Sequence, residues 1–201
     1  MGCCDCQEEA SDIAQKSVLV ALLSINVCMF AGEFLAGLAA DSTGLIADSL
    51  DMLADATVYG IALFAVGRAA SIKIAAARWS GIFQVTLAVG LFLDIVRRWL
   101  FGSDPASWLM SGVGFVALAA HITCLGILAK HRRGEIHMRA SWIFSKNDVL
   151  ANVGVIAAGL LVFVMDARWP DLVIGMVITI VVLRGGIQIL KEASREAANQ
   201  D

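Results

Sequence analysis

Three aspartates, Asp48, Asp51 and Asp55, sit at helical spacing inside an apolar run, and a second apolar run carries Asp148 four residues before Asn152. An ionised carboxylate at bilayer depth is costly and persists only beside a partner, a proton, a cation or water. Steps of three and four residues put Asp48, Asp51, Asp55 and Tyr59 on one helix face, and Ser141, Ser145, Asp148 and Asn152 on one face of another. Three ionised carboxylates in such a stripe would repel each other in lipid. They therefore face the protein interior, with a cation or a proton to offset their charge. The pairs Asp51-x-x-x-Asp55 and Asp148-x-x-x-Asn152 offer four oxygen-bearing side chains, a donor set suited to a divalent cation. Asn147, about 100° round the helix from Asp148, also reaches the space between the two helices. Pairing with helix-borne bases is the rival use of these acids, and apart from Arg97 and Arg98 at the end of span 3 only Lys146 and Arg184 stand within the spans to serve it.

The elements that must position these residues are membrane spans. The chain has 201 residues, of which 59% are hydrophobic, and its mean hydropathy is +0.78. The apolar residues fall in blocks long enough to cross a bilayer. Six spans are expected, at 17–40, 45–66, 79–100, 108–129, 140–164 and 172–190, joined by short segments at 41–44, 68–78, 102–105, 131–139 and 166–171. The fold class is thus an all-α membrane protein, a bundle of six transmembrane helices. The expected division is a Cys-containing cytoplasmic tail (1–16), the transmembrane domain (17–192) and a short cytoplasmic tail (193–201).

An even number of spans puts both termini on one side. That side collects Lys16, Arg68, Lys73, Arg78, Lys130, Arg132, Arg133, Arg139, Lys191 and Arg195, against Arg97, Arg98 and Arg168 on the other. The excess of positive charge places both termini in the cytoplasm. Trp79, Trp99, Trp108 and Trp169 sit near span ends, as an interfacial aromatic belt requires. The first 16 residues lack a basic n-region and a small-residue cleavage site, so no secretory signal is expected there.

Other polar residues have weaker claims. Cys3, Cys4 and Cys6 face a reducing compartment, where thiols either stay free or capture a soft metal. Cys28 and Cys124 are expected to pack as small apolar groups. Glu33 shares a face with Asn26. With Asp48 and Tyr59 it is a candidate for a proton pathway or for supporting the metal site, the alternative being an interhelical hydrogen bond. His121, alone in span 4, is expected as an interior histidine rather than a ligand. His131 and His137 flank a basic loop that reads as a solvated, lipid-facing charge run. Gln84 reads as packing glue, and Asp94 as a local ion pair with Arg97 and Arg98.

The segment from Ala39 to Ala56, with its Asp51-x-x-x-Asp55 pair, resembles helix 2 of the cation diffusion facilitator family. Asn147-Asp-Val-Leu-Ala-Asn-Val-Gly-Val resembles helix 5 around its metal-binding aspartate. Pro170-Asp-Leu with Leu183-Arg-Gly-Gly and Leu190-Lys-Glu-Ala is similar to helix 6. The resemblance implies that Asp51, Asp55 and Asp148 are metal ligands. The family's other helix 5 ligand, usually His or Asp, falls on Phe144, which cannot ligate. Either Asn147 or Asn152 then substitutes, or water completes the shell. A His-free, all-oxygen site shifts weight towards Mn, Fe(II) or Co, with zinc still allowed. The family commonly has a cytoplasmic domain after helix 6, and the sequence reads as a short form without it. Dimerisation is then expected through the transmembrane helices.

These readings converge on a secondary transporter, not an enzyme, that exports a divalent transition metal (Zn, Co, Fe, Mn or Cd) from the cytoplasm by proton antiport. The plasma membrane is its expected location. Its expected partners are the lipid bilayer, the metal ion, protons and a second copy of the chain, with no nucleic acid and no resident cofactor. The alternatives are a cation channel and a non-transporting membrane metal sensor.

Overall fold

A computed structural model describes residues 3–65, 70–129 and 136–198. Lys130, His131, Arg132, Arg133 and Arg68 fall outside the described residues, as do the side chains of Cys3, Cys4, Cys6, Lys73, His137, Arg139, Phe144 and Asn147. The described residues form six helices: α1 (Cys3–Ala39), α2 (Thr43–Ala65), α3 (Ala70–Phe101), α4 (Ser107–Ala129), α5 (Ile136–Met165) and α6 (Trp169–Ala198). A helix covers each of the six expected spans, in order.

At the end of the bundle that holds both termini, the helices run further than the apolar blocks. Residues 3–16, expected as a separate tail, continue α1, and the expected joint at 68–78 is helical from Ala70. No Gly or Pro interrupts Cys3 to Ala31, and the start of α3 is rich in alanine, so nothing there breaks a helix. The 37 residues of α1 reach about 55 Å, against roughly 30 Å of hydrocarbon. The polar turns therefore extend beyond the hydrocarbon.

Five of the helices carry an uninterrupted apolar run long enough to cross a membrane: α1 over Lys16–Ala39, α3 over Ile74–Phe101, α4, α5 over Asp148–Met165, and α6. In α2 the run is broken by its three aspartates. That helix is the centre of the bundle, touching all five others, and Ser42 to Leu50 are buried without a gap. Large apolar side chains point outward, with Phe101, Phe163 and Trp79 each more than two-thirds exposed. Asn26, Glu33, Asp48, His121, Asp148 and Asn152 are all buried. Apolar outside and polar inside is the arrangement lipid demands.

The outer ends are tied together. Ser42 caps α2, its Oγ accepting from the Leu45 N–H at 3.2 Å. Asp171 of α6 accepts from Ser42 Oγ (2.7 Å), the Thr43 N–H (2.7 Å) and the Gly44 N–H (2.9 Å). A carboxylate thus sits on the positive N-terminal end of α2. Asp41 closes α1 in the left-handed region, with φ at 49°. Its carbonyl accepts from Arg98 at 2.7 Å, and its carboxylate accepts from Arg98 and from the Asp104 N–H. Arg98 also pairs with Asp94, which holds Arg97 at 2.8 Å as well, the local ion pair read from the sequence. Arg168 donates to the Trp99 carbonyl at 3.2 Å. The three loops at this end accordingly share one fastened surface.

Helix α6 approaches α2 closely because of Gly175. A Cβ there would lie 2.6 Å from Thr43 Cγ2. Gly175→Leu should therefore push the α2 N-terminus off α6 and cost about 1–3 kcal/mol, read as a lower thermal midpoint of the purified protein. An unchanged midpoint would show that this contact yields.

Candidate metal centre

The site is built where α2 lacks a tight partner. Helix α2 packs closely along α1 and α6 but only sparsely against α4 and α5. Facing carboxylates explain this, since they present no apolar surface for packing and repel one another. Along α2, Asp48 is almost fully buried, Asp51 and Asp55 keep part of their surface open, and Tyr59 is buried again. Across the gap, Asp148 and Asn152 of α5 are buried, at 6% and 0% exposure.

The carboxyl groups of Asp55 and Asp148 come within mutual reach between α2 and α5. Asp51 lies in the field of Asp55, one turn along its own helix, and of Asp148. The three acids chosen from the sequence thus face the same α2–α5 gap without closing on one point. Asn152 donates Nδ2 to the Asp148 carbonyl of its own helix at 3.0 Å, which leaves its Oδ1 buried with no donor. An orphaned acceptor in a dry interior is costly unless something electropositive meets it.

Glu33 and Asp48 form a second carboxyl pair, between α1 and α2. Both Glu33 oxygens and Asp48 Oδ2 are buried without a donor. Asn26 turns its Nδ2 away from this pair, to the Leu22 carbonyl one turn back along α1. Among the described residues no three His, Cys, Asp or Glu side chains converge closely enough to hold a metal ion as they stand. Like charges gather that tightly only around a cation.

One further residue stands beside Asp148. His121 of α4, expected as an interior histidine, is buried and places Nδ1 3.4 Å from Asp148 Oδ2. The spacing alone did not announce that contact. A sequence signal existed: Gly114, Ala117, His121, Cys124 and Leu128 form a buried stripe at steps of three and four. What the spacing could not say was which helix that stripe faces.

Residues 19–196 match the family model described as "Cation efflux transmembrane domain". The chain belongs to this cation efflux family. Members of the cation efflux family are transporters rather than enzymes, and the chain carries the family's transmembrane domain as an integral membrane protein. It is 27% identical over 194 residues to a protein of Pectobacterium atrosepticum named zinc transporter ZitB, an alignment covering 89% of this chain and 60% of the relative. It is 22% identical over 193 residues to a Bacillus velezensis protein named cadmium, cobalt and zinc/H(+)-K(+) antiporter, covering 89% of this chain and 61% of the relative. A protein of the same name from Bacillus subtilis is 21% identical, again over 89% of this chain and 62% of the relative. The chain thus spans about three-fifths of the length of these relatives.

Proposed function

We propose that this protein exports a divalent transition-metal cation from the cytoplasm in exchange for protons, binding the ion between α2 and α5. The observation that supports this reading is the placement of Asp51, Asp55 and Asp148 along the sparsely packed gap beside α2, next to the buried, unpartnered Oδ1 of Asn152. A divalent cation entering the gap offsets most of the charge of the three carboxylates and draws the two helices together. Asn152 contributes its unpartnered Oδ1, and Asn147 is the alternative amide. The partial exposure of Asp51 and Asp55 gives the ion a way in, whereas Asp48 lies towards the outer end.

Protons drive release because carboxylates must lose them to bind metal, so binding and protonation compete at the same oxygens. Glu33 and Asp48 sit on the outer side of the site as a buried acid pair able to hold a proton between them, and Tyr59 lines the stripe on the cytoplasmic side. Names of the relatives support zinc, cobalt or cadmium as cargo and a proton-coupled exchange. Assembly as a homodimer through the transmembrane helices, and metal capture by Cys3, Cys4 and Cys6, belong to the same proposal. Without those cysteines a carrier should lose affinity at most, whereas a sensor should fail.

Counterflow distinguishes the carrier from a channel. Proteoliposomes containing a trapped pH dye should show their interior becoming more alkaline as Zn²⁺ enters, and an acid interior should speed that entry. Zinc entry that leaves the dye unchanged and ignores the imposed gradient would indicate a channel.

A further inference from the structure

Resting on the metal-carrier reading above, we propose that His121 of α4 is a direct ligand of the transported ion through Nδ1, sharing it with Asp148 and biasing the site towards metals that accept imidazole nitrogen. Three observations carry this assignment.

The first is distance. The 3.4 Å between His121 Nδ1 and Asp148 Oδ2 is long for a hydrogen bond, whose usual N···O length is about 2.9 Å. Two donors at about 2.1 Å from one tetrahedral zinc stand about 3.4 Å apart. The pair is spaced for an ion between its members.

The second is burial. His121 and Asp148 are 4% and 6% exposed, and Ile25, Asn26 and Met29 of α1 close over His121 and Cys124. Asn152 Oδ1, on the same α5 face as Asp148, is fully buried and unpartnered. These groups form an enclosed set of donors, not an exposed acidic patch.

The third is charge. Asp51, Asp55 and Asp148 already carry more negative charge than one divalent ion cancels, so a further carboxylate would add repulsion. A neutral imidazole completes the shell without it. Imidazole suits Zn, Co and similar ions, whereas all-oxygen shells suit Mg, Ca and Mn. His121 on α4 thus stands in for the nitrogen donor that Phe144 on α5 cannot provide.

Zn²⁺ alone, loaded onto the purified full chain in detergent, provides the test. Zinc-edge X-ray absorption should show the outer-shell scattering of an imidazole in the wild type, and His121→Ala should remove it. His121→Ala and His121→Gln should each weaken Zn²⁺ binding at least about 10-fold while changing Mn²⁺ binding less than about 3-fold. Zinc bound by the wild type with oxygen scattering only, lost in Asp51→Ala but kept in His121→Ala, would overturn the role of His121 and leave the carrier reading standing. Zinc binding indifferent to Asp51→Ala and Asp148→Ala would bring down the carrier reading and this inference with it. A variant with His131→Ala and His137→Ala keeps His121 as its one histidine, so the presence or absence of imidazole scattering in its spectrum decides the matter even if the His121 variants fold poorly.

Discussion

Replacing Asp148 by alanine is expected to lower metal flux about 100-fold at sub-saturating metal, without loss of folded protein. Its carboxyl group meets Asp55 across the α2–α5 gap and lies beside His121, so it is the acid shared by the most potential donors. Outer-shell partners of metal ligands typically count for 10–100-fold in affinity, and a ligand that carries charge should reach at least the upper end of that range. The same change removes one of several repelling buried acids, so the apo protein should unfold at the same temperature or higher. Asp148→Asn keeps the shape and loses the charge, and should fall between alanine and the wild type. Initial rates of Zn²⁺ uptake into proteoliposomes, with thermal midpoints from the same preparations, check both halves. Flux within about 3-fold of wild type, or a large drop in stability, would make Asp148 a structural residue.

Asp171→Ala should act the opposite way, on stability first. Its carboxylate satisfies the Ser42 hydroxyl and two N–H groups at the start of α2, and it is fully buried. A buried donor left without its partner costs about 1–3 kcal/mol, so losing this acceptor should cost roughly 3–5 kcal/mol. For a chain of this size that is a fall of about 10 °C in thermal midpoint. Because α2 carries Asp51 and Asp55, flux should drop with it, but a second-site change that restores stability should restore flux. A midpoint within about 2 °C of wild type would mean that water or neighbouring groups replace the cap.

How far the sequence foretells this molecule follows from range. Spans such as 108–129 are legible because lipid forces an unbroken apolar run, and Asp51 and Asp55 are legible because nothing else explains their presence in one. The helix ends beyond those runs were not, since the alanine-rich stretch before Trp79 has neither the hydropathy of a span nor the breakers of a loop. The Asp171 cap links residues 127–129 positions apart, and no local pattern announces such a contact. The contact of His121 with Asp148 is hidden for the same reason: its stripe is visible on α4, but its partner comes from α5. Residue type and spacing reveal what one helix can offer, and only packing reveals to whom.

The most direct measurement is equilibrium binding of Zn²⁺ to the purified protein, comparing wild type with the triple variant Asp51→Ala, Asp55→Ala, Asp148→Ala. The account predicts a tight site in the wild type that is absent from a folded, monodisperse triple variant. An unchanged number of tightly bound ions in that variant would contradict a metal centre between α2 and α5.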